Sequence, residues 1–134
     1  MKDSGVYSLI IRLKKDQKIT IGKLGKISFK KGFYIYTGSA LNGLTARVER
    51  HRKKKKKKFW HIDYLLNSKH AKISEVFMIK TNKKIECKLN KIISVLPKAN
   101  PIKNFGCSDC RCKTHLYYFE DKDLINFLKN VKLT

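Results

Sequence analysis

GFYIYTGSALNGLTARVERH, residues 32–51, is the segment on which the fold of the whole chain depends. It opens with aromatic and β-branched residues typical of a strand, breaks at two glycines, and continues as a helix rich in arginine. Arg47 and His51 are four residues apart, so they share one face of this helix and can both reach a phosphate group. The segment therefore predicts either an ordinary strand–loop–helix corner or the centre of a phosphate-binding active site.

Short strand patterns alternate with amphipathic helix patterns along the rest of the chain. Four segments have the residue types of strands: 5–13, 32–38, 73–80 and 115–119. Residues 18–29 add two short strands hinged at glycines. Four segments have the apolar spacing of helices: 41–51, 59–68, 84–96 and 122–131. Because hairpin-linked strands come first and helices follow among further strands, the pattern predicts a mixed α+β fold.

The length and composition of the chain indicate one domain. It has 134 residues, of which 42% are hydrophobic, and this is enough for a single core. Since proline is rare, residues 1–134 are interpreted as one domain with a core over about 5–119 and a terminal helix over about 122–131. The apolar runs are too short to span a membrane, and the first ten residues lack the apolar region of a signal peptide, so a cytoplasmic location without membrane association is expected.

The charge of the chain is strongly positive. There are 32 lysines and arginines against 10 aspartates and glutamates, which gives a formal net charge of +22. Such an excess favours a polyanionic partner, and nucleic acid is the obvious one, although an anionic membrane or ribosomal RNA would satisfy the charge equally well. Of the nucleic acids, DNA is the expected partner and RNA is the alternative. A bias of the whole composition toward lysine explains part of the excess, but it does not explain the shortage of acids.

Six consecutive lysines at residues 53–58 directly follow the arginine-rich helix. A run of this kind is usually a solvated loop, but here it would extend a basic surface along a phosphate backbone. Contact of this sort is non-specific and weakens as salt is added. The residues predicted to contact nucleic acid are Arg50, Arg52, Lys53, Lys54, Lys55 and Lys56.

Two tyrosines and one glutamate complete the candidate site. If the strands that carry Tyr7 and Tyr36 pair, the two phenols come together, and a nearby arginine is expected to lower the pKa of a phenol. A phenol so placed can orient or deprotonate a water. A divalent cation needs a carboxylate, and Glu86, at a predicted helix start, is the best candidate among few acids. The simpler alternatives are core tyrosines and a glutamate that favours the helix dipole.

These residues carry a resemblance to a known superfamily. Gly5-Val6-Tyr7, Tyr36-Thr37-Gly38, Arg47 and Glu86, in this order, resemble the motifs of the GIY-YIG nucleases. More narrowly, the blocks GVYSLIIRL, GFYIYTGSA, LTARVERH, WHIDYLL, IECKL and FGCSDCRCKTHLYYF resemble a prokaryotic, mainly archaeal family of domains of unknown function, DUF123. Members of that family stand alone or are fused to an endonuclease III-type repair glycosylase. The resemblance spans residues 5 to about 119.

The resemblance implies a fold, an activity and a role for each matched residue. The fold is a small antiparallel sheet of about three strands, here with an added hairpin, flanked by helices. The activity is divalent-metal-dependent cleavage of phosphodiester bonds, in a repair setting that includes association with a base-excision repair enzyme. The implied roles are water activation by Tyr7, a base or its hydrogen-bonding partner at Tyr36, charge stabilisation by Arg47, one Mg²⁺ or Mn²⁺ ion at Glu86, and proton shuttling by His51.

The chain also departs from the superfamily pattern. Positions 7 and 36 are 29 residues apart, which is longer than usual, and KITIGKLGKISF fits an inserted hairpin. Thr37 replaces the middle isoleucine of the second motif. The resemblance therefore supports the fold with more force than it supports cleavage. The alternatives are a non-catalytic nucleic-acid-binding accessory protein with the same fold, and a structural protein bound to ribosomes or chromatin through its charge.

The segment FGCSDCRCKTHL contains the ligand types of a zinc site: Cys107, Cys110, Cys112 and His115. Four ligands within nine residues rarely close a tetrahedron, so this loop by itself is not expected to hold a structural zinc ion. A site completed by Cys87 or His61 stays open as an alternative. Packing thiols or a redox pair are favoured instead, and an accessory contribution to the active site is considered for Asp109, Cys110, Cys112 and His115.

Overall fold

The elements that the sequence patterns predict are present, with shifted ends. The computed structural model describes residues 3–54, 57–58, 60–106 and 112–121. Its strands are β1 (Gly5–Leu13), β2 (Gln17–Thr20), β3 (Lys26–Phe29), β4 (Gly32–Ala40), β5 (Ala71–Lys80), β6 (Asn100–Pro101) and β7 (Leu116–Phe119). Its helices are α1 (Leu44–Arg52), α2 (His61–Leu66) and α3 (Glu86–Ser94), and a 3-10 turn covers Gly22–Leu24. The helix predicted over 122–131 lies outside the described residues.

The main sheet is built around the pairing of β1 with β4. The two strands run antiparallel over their whole length, from Gly5 opposite Ala40 to Leu13 opposite Gly32. On its other side β1 pairs antiparallel with β5, and β4 pairs antiparallel with β7. The order of strands across the sheet is therefore β5-β1-β4-β7-β6. This register places Tyr7 directly opposite Gly38.

The predicted mixed α+β class is confirmed, but the expected sheet of about three strands is too small. The main sheet has five strands, and β2 and β3 form a separate two-stranded sheet in the position of the predicted hairpin. The sequence patterns indicated strands near β5 and β7 without indicating their partners. Pairing between β1 and β5 joins residues far apart in the chain, and a strand pattern carries no information about its partner.

Helices cover both faces of the main sheet. Successive side chains of a strand point to opposite faces, so alternate residues of β1 pack in two different hydrophobic clusters. Tyr7, Leu9 and Ile11 pack in the core that includes the buried residues of α1 and α2. Val6 and Ile10 pack in a second cluster with the buried residues of α3. The central strand is thus buried on both sides, which explains its continuous apolar sequence. No helix within the described ranges is long and apolar enough to cross a membrane.

Helix α1 begins three residues later than the sequence pattern predicts. Gly43, just before it, has a left-handed backbone with φ of 76°, so the chain turns there before the helix starts. The first turn is stabilised by Asp3, whose Oδ2 accepts a hydrogen bond from the backbone N–H of Thr45 at 2.9 Å. A carboxylate at this end also complements the helix dipole. The amino-terminal segment therefore fixes the start of the helix that carries Arg47 and His51.

Candidate active site

Four of the five residues of the predicted site line one cleft, whereas the fifth, His51, is buried behind it. Tyr7 comes from β1, Tyr36 from β4, Arg47 from α1 and Glu86 from the start of α3. Together they line a cavity of about 450 Å³, which Lys83 and Lys84 border as well. Four separate elements thus contribute side chains to one space. Since one acid is surrounded by three cations among these lining residues, the cleft suits an anionic ligand.

A chain of hydrogen-bonding groups extends from Tyr7 into the core. Tyr7 Oη lies 2.8 Å from His51 Nε2, and the His51 ring is buried. On its far side, His51 Nδ1 lies 4.0 Å from Asp63 Oδ1. At 4.0 Å this pair is too far apart for a hydrogen bond, but the negative charge of the carboxylate disfavours a nitrogen lone pair facing it, so the ring proton is assigned to Nδ1. Nε2 then accepts the hydrogen of Tyr7, and a lone pair of the phenol oxygen remains for a ligand in the cleft.

Asp63 is buried, and Arg50 compensates its charge. The two side chains form a bidentate pair, with Nη1 to Oδ1 at 2.9 Å and Nη2 to Oδ2 at 3.0 Å. Asp63 Oδ2 also accepts the backbone N–H of Trp60 at 2.9 Å, just before α2 begins. A buried carboxylate needs such partners, because desolvation of an unpaired charge is costly. Arg50, predicted as a nucleic-acid contact, is therefore placed against Asp63.

Arg47 is held at the cleft by two contacts. Its Nη1 donates to the carbonyl oxygen of Ser39 at 3.1 Å, at the end of β4. Its Cζ lies 4.4 Å from the centroid of the Trp60 ring, and Cζ of Arg50 lies 4.6 Å from the same centroid. Cation–π contact of this kind orients a guanidinium without neutralising it. Trp60, which was not among the predicted site residues, contacts both arginines through its ring.

Burial raises the pKa of both tyrosines, so the expected lowering by arginine has the wrong sign. Desolvation raises the pKa of Tyr7 from 10.0 to about 12, although the charge and hydrogen bond of Arg47 act in the opposite direction. Desolvation also raises the pKa of Tyr36 well above 10.0, and the neighbouring Tyr7 adds to that rise. Removal of the phenols from water outweighs the nearby cation. Both tyrosines are neutral at neutral pH.

Glu86 is held by the buried side chain of His115. His115 Nδ1 lies 3.1 Å from Glu86 Oε2 and 3.0 Å from the carbonyl oxygen of Thr37. Since a carbonyl only accepts, Nδ1 is assigned the ring proton. His115 therefore brings the predicted accessory loop into contact with the candidate metal-binding carboxylate. Cys112 lies within the described residues, whereas Asp109 and Cys110 of the same prediction lie outside them.

Two further residues near the cleft, His61 and Asp63, were not among the predicted catalytic residues. His61 lines the cleft, and its Nδ1 accepts the backbone N–H of Gly106 at 2.9 Å. Burial lowers the pKa of His61, so its ring is neutral and carries its proton on Nε2. The second is Asp63, and no local pattern connects it to Arg50, thirteen residues earlier. In the sequence, Asp63 stands out only because the chain has few acidic residues.

The predicted nucleic-acid contacts occupy different settings. Lys54 donates from Nζ to the carbonyl oxygens of Leu66, Ser68 and Ala71, which secures the turn after α2. Arg52 and Lys53 are exposed, whereas Lys55 and Lys56 lie outside the described residues. A second cleft of about 390 Å³ includes several basic residues: Lys14, Arg52, Lys54, Lys69 and Lys72. Lys14, Lys69 and Lys72 were not among the predicted nucleic-acid contacts.

Comparison with family models assigns the chain to a family. The model described as domain of unknown function DUF123 matches residues 6–133. The chain therefore belongs to the DUF123 family, as the sequence resemblance indicated. Comparisons with curated proteins and with solved structures give no match.

Replacement of Gly38 by alanine tests how closely Tyr7 packs on β4. The added Cβ would lie 2.5 Å from Tyr7 Oη and 2.7 Å from Cζ, so the buried ring would have to move. We expect the free energy of unfolding, measured by urea denaturation, to fall by about 1–3 kcal/mol. Ser39→Ala, on the opposite side of the strand, is the control and should change it by less than about 0.5 kcal/mol. Equal stability of Gly38→Ala and wild type would contradict the described packing.

The raised pKa of Tyr7 predicts a loss of stability in alkali. Between pH 10.0 and about 12 the unfolded chain has lost the phenol proton while the folded chain keeps it, so stability falls as the pH rises. A shift of this size corresponds to about 2–3 kcal/mol. Urea denaturation across this window should give a shallower decline for Tyr7→Phe than for the wild type. A phenolate absorbance that the folded wild type shows below pH 10.0 and Tyr7→Phe lacks would contradict the assignment.

Proposed function

We propose that this DUF123 domain is a nuclease of the GIY-YIG type, which hydrolyses phosphodiester bonds in DNA, or in RNA, with Mg²⁺ or Mn²⁺. One observation carries the proposal: Tyr7, Tyr36, Arg47 and Glu86 line the same cleft although they come from four elements of the fold. These are the residues that match the superfamily motifs in order. A purely structural role for each of them gives no reason for their convergence.

The cations of the cleft support a phosphate as the bound group. Arg47 presents a guanidinium oriented by Ser39 and Trp60, and such a fork matches two phosphate oxygens. Lys83 and Lys84 line the same cleft. In the proposed reaction Arg47 stabilises the extra negative charge that the phosphate gains in the transition state.

Glu86 is the residue that would hold the divalent ion. Mg²⁺ commonly binds through one or two carboxylates, waters and the phosphates of the substrate, and a single glutamate at the cleft fits this donor set. The surrounding cations favour binding of the ion together with a phosphate rather than before it. When bound, the ion would neutralise charge on the phosphate and its leaving oxygen. His115 keeps the Glu86 carboxylate in place from behind.

Tyr7 and His51 together provide the proposed route for the proton of the attacking water. The pKa of Tyr7, about 12, excludes a stable phenolate as the base at neutral pH. Instead, as the water attacks phosphorus, its proton passes to Tyr7 Oη while the Tyr7 proton passes to His51 Nε2. The bond from phosphorus to the leaving oxygen breaks, and that oxygen takes a proton from solvent. Asp63 stabilises the imidazolium so formed, and Tyr36, with its ring 6.4 Å from that of Tyr7, positions the water.

A nucleic-acid-binding accessory protein without catalysis is the second candidate function. The net charge of +22 and the basic residues of the second cleft favour it, because both support binding without reference to the tyrosines. The two candidates share a partner and differ in chemistry.

The nuclease proposal predicts metal-dependent cleavage that single side-chain changes abolish. Purified wild type should cut at least one of a set of end-labelled flapped, branched, single-stranded and double-stranded DNA and RNA substrates, with Mg²⁺ or Mn²⁺ but not with EDTA. Tyr7→Phe and Glu86→Gln should each lower the single-turnover rate by about 10²–10⁴-fold, since each removes a group that acts on the reacting atoms.

Two matched variants control for damage to the fold. Tyr34→Phe removes one buried hydroxyl from β4, where it donates to the carbonyl oxygen of Lys30 outside the cleft. Glu49→Gln removes an exposed carboxylate from α1. Both should cleave at nearly the wild-type rate. Failure to cut any substrate, or equal cutting by all the variants, would reject catalysis, and salt-sensitive binding alone would favour the accessory protein.

If the basic residues of the second cleft contact nucleic acid, they contribute to the salt dependence of its binding constant. Each lysine that contacts a phosphate contributes about one unit to the slope of log K against log salt concentration. Lys69→Gln combined with Lys72→Gln should therefore reduce the slope for duplex DNA by about two. The pair Lys18→Gln and Lys26→Gln, on the β2–β3 hairpin and outside both clefts, removes the same charge. An equal effect of the two pairs would indicate a diffuse field instead of contacts in the cleft.

A further inference from the structure

A second group of chemically active side chains lies next to Glu86. Cys87 follows Glu86 in the first turn of α3, and Cys112 and His115 lie in the segment that leads into β7. One ligand atom from each of the three residues lies within 4.8 Å of the others. Cys87 is exposed, Cys112 is half-buried and His115 is buried. Two separate parts of the chain thus converge on one point.

The partners of His115 Nδ1 fix the tautomer of the ring. Nδ1 donates to the carbonyl oxygen of Thr37 and faces Glu86 Oε2, so the ring proton is on Nδ1 and the lone pair is on Nε2. Metal-binding histidines commonly have this arrangement, in which a carbonyl or carboxylate fixes the tautomer and orientation of the ring. Glu86 and Thr37 therefore occupy the position of outer partners to a metal ligand.

We propose that Cys87, Cys112 and His115 bind a thiolate-preferring divalent transition metal ion, of which Zn²⁺ is the representative. Two sulfurs and one imidazole nitrogen are ligands that zinc prefers over the oxygen ligands of Mg²⁺. In a tetrahedral zinc site with bonds of about 2.0–2.3 Å, neighbouring ligand atoms are about 3.6–3.8 Å apart. The observed separations are at most 4.8 Å, so closure to this geometry requires the ligand atoms to approach one another by no more than about 1 Å. Among the described residues the cluster supplies three ligands, and in the proposed site water would take the fourth position.

The ligand spacing of this site differs from that of the loop by itself. The loop offers four ligands within nine residues, whereas this set joins Cys112-x-x-His115 to Cys87, which lies 25 residues before Cys112. It is the alternative completed by Cys87 that the sequence left open.

Bound metal would tie the start of α3 to the segment before β7. Glu86 lies between the two sites: it lines the cleft, and through Oε2 it contacts the histidine ligand. The metal would therefore restrict the movement of the Glu86 carboxylate at the border of the cleft, which Cys87 also lines. The site does not rest on the nuclease proposal, because its ligands and its test involve no substrate.

Titration of the reduced, full-length protein with Co²⁺ tests the site. We expect one equivalent to bind, with a sulfur-to-cobalt charge-transfer band of two thiolates, and Zn²⁺ to abolish the band. Cys87→Ser and Cys112→Ser should each lower the band by about half, since one of two thiolates is lost. Glu86→Gln should keep the band and weaken metal binding by about 10- to 100-fold, because only an outer partner is changed.

The histidine ligand has a matched control in His70, which lies in the second cleft. His115→Gln should lose binding, whereas His70→Gln should retain it. Because His115 is buried and its variant can fail to fold, the exposed Cys87 provides the decisive variant, with circular dichroism as the check of folding. Absence of a band in the reduced wild type, or an unchanged band in both Cys87→Ser and Cys112→Ser, would overturn the proposal. Loss of nuclease activity alone would leave it intact, since binding is measured without substrate.

Discussion

The antiparallel pairing of β1 with β4 is the constraint on which the candidate site depends. Its register sets Tyr7 opposite Gly38, and the absence of a side chain at Gly38 allows the ring to lie against the strand. From there the hydroxyl reaches His51 on α1. A slip of the register by one residue would move Tyr7 to the other face of the sheet, where α3 packs. The strand pair thus determines which helix supplies the partner of the phenol.

The few acids of this chain bond to specific partners, and much of the remaining surface is left positive. Asp3 caps α1, Asp63 pairs with Arg50 in the interior, and Glu86 faces His115. Each of these carboxylates has a defined partner, so its charge is compensated locally. The net charge of the chain is still +22, and such a charge attracts counter-ions or a polyanion. Two arginines of α1 accordingly differ in role. Arg50 pairs with the buried Asp63, whereas Arg47 lines the cleft.

Local patterns predicted the elements that carry the site, but not the partners that hold it. The bounds of β1 coincide with the apolar run in the sequence. The two tyrosines and Arg47 were identified as site residues because they occur in ordered motifs. The pairing of Arg50 with Asp63 has no such pattern, because it depends on how α1 and α2 meet. The sign of the Tyr7 pKa shift failed for a related reason: its neighbour Arg47 is visible in the sequence, whereas the depth of burial, which outweighs it, is set by the whole fold.

Two buried histidines hold the reactive groups of the cleft from behind. His51 contacts Tyr7 through Nε2 and faces a carboxylate through Nδ1; His115 donates to the carbonyl of Thr37 and faces Glu86 through Nδ1. In each case a neighbouring oxygen fixed by the fold favours the ring proton on Nδ1, so the lone pair is on Nε2. In the proposed reaction a neutral Tyr7 passes on its proton as His51 receives it, so that reaction depends on groups in the core. The fold and the site are therefore specified by the same contacts.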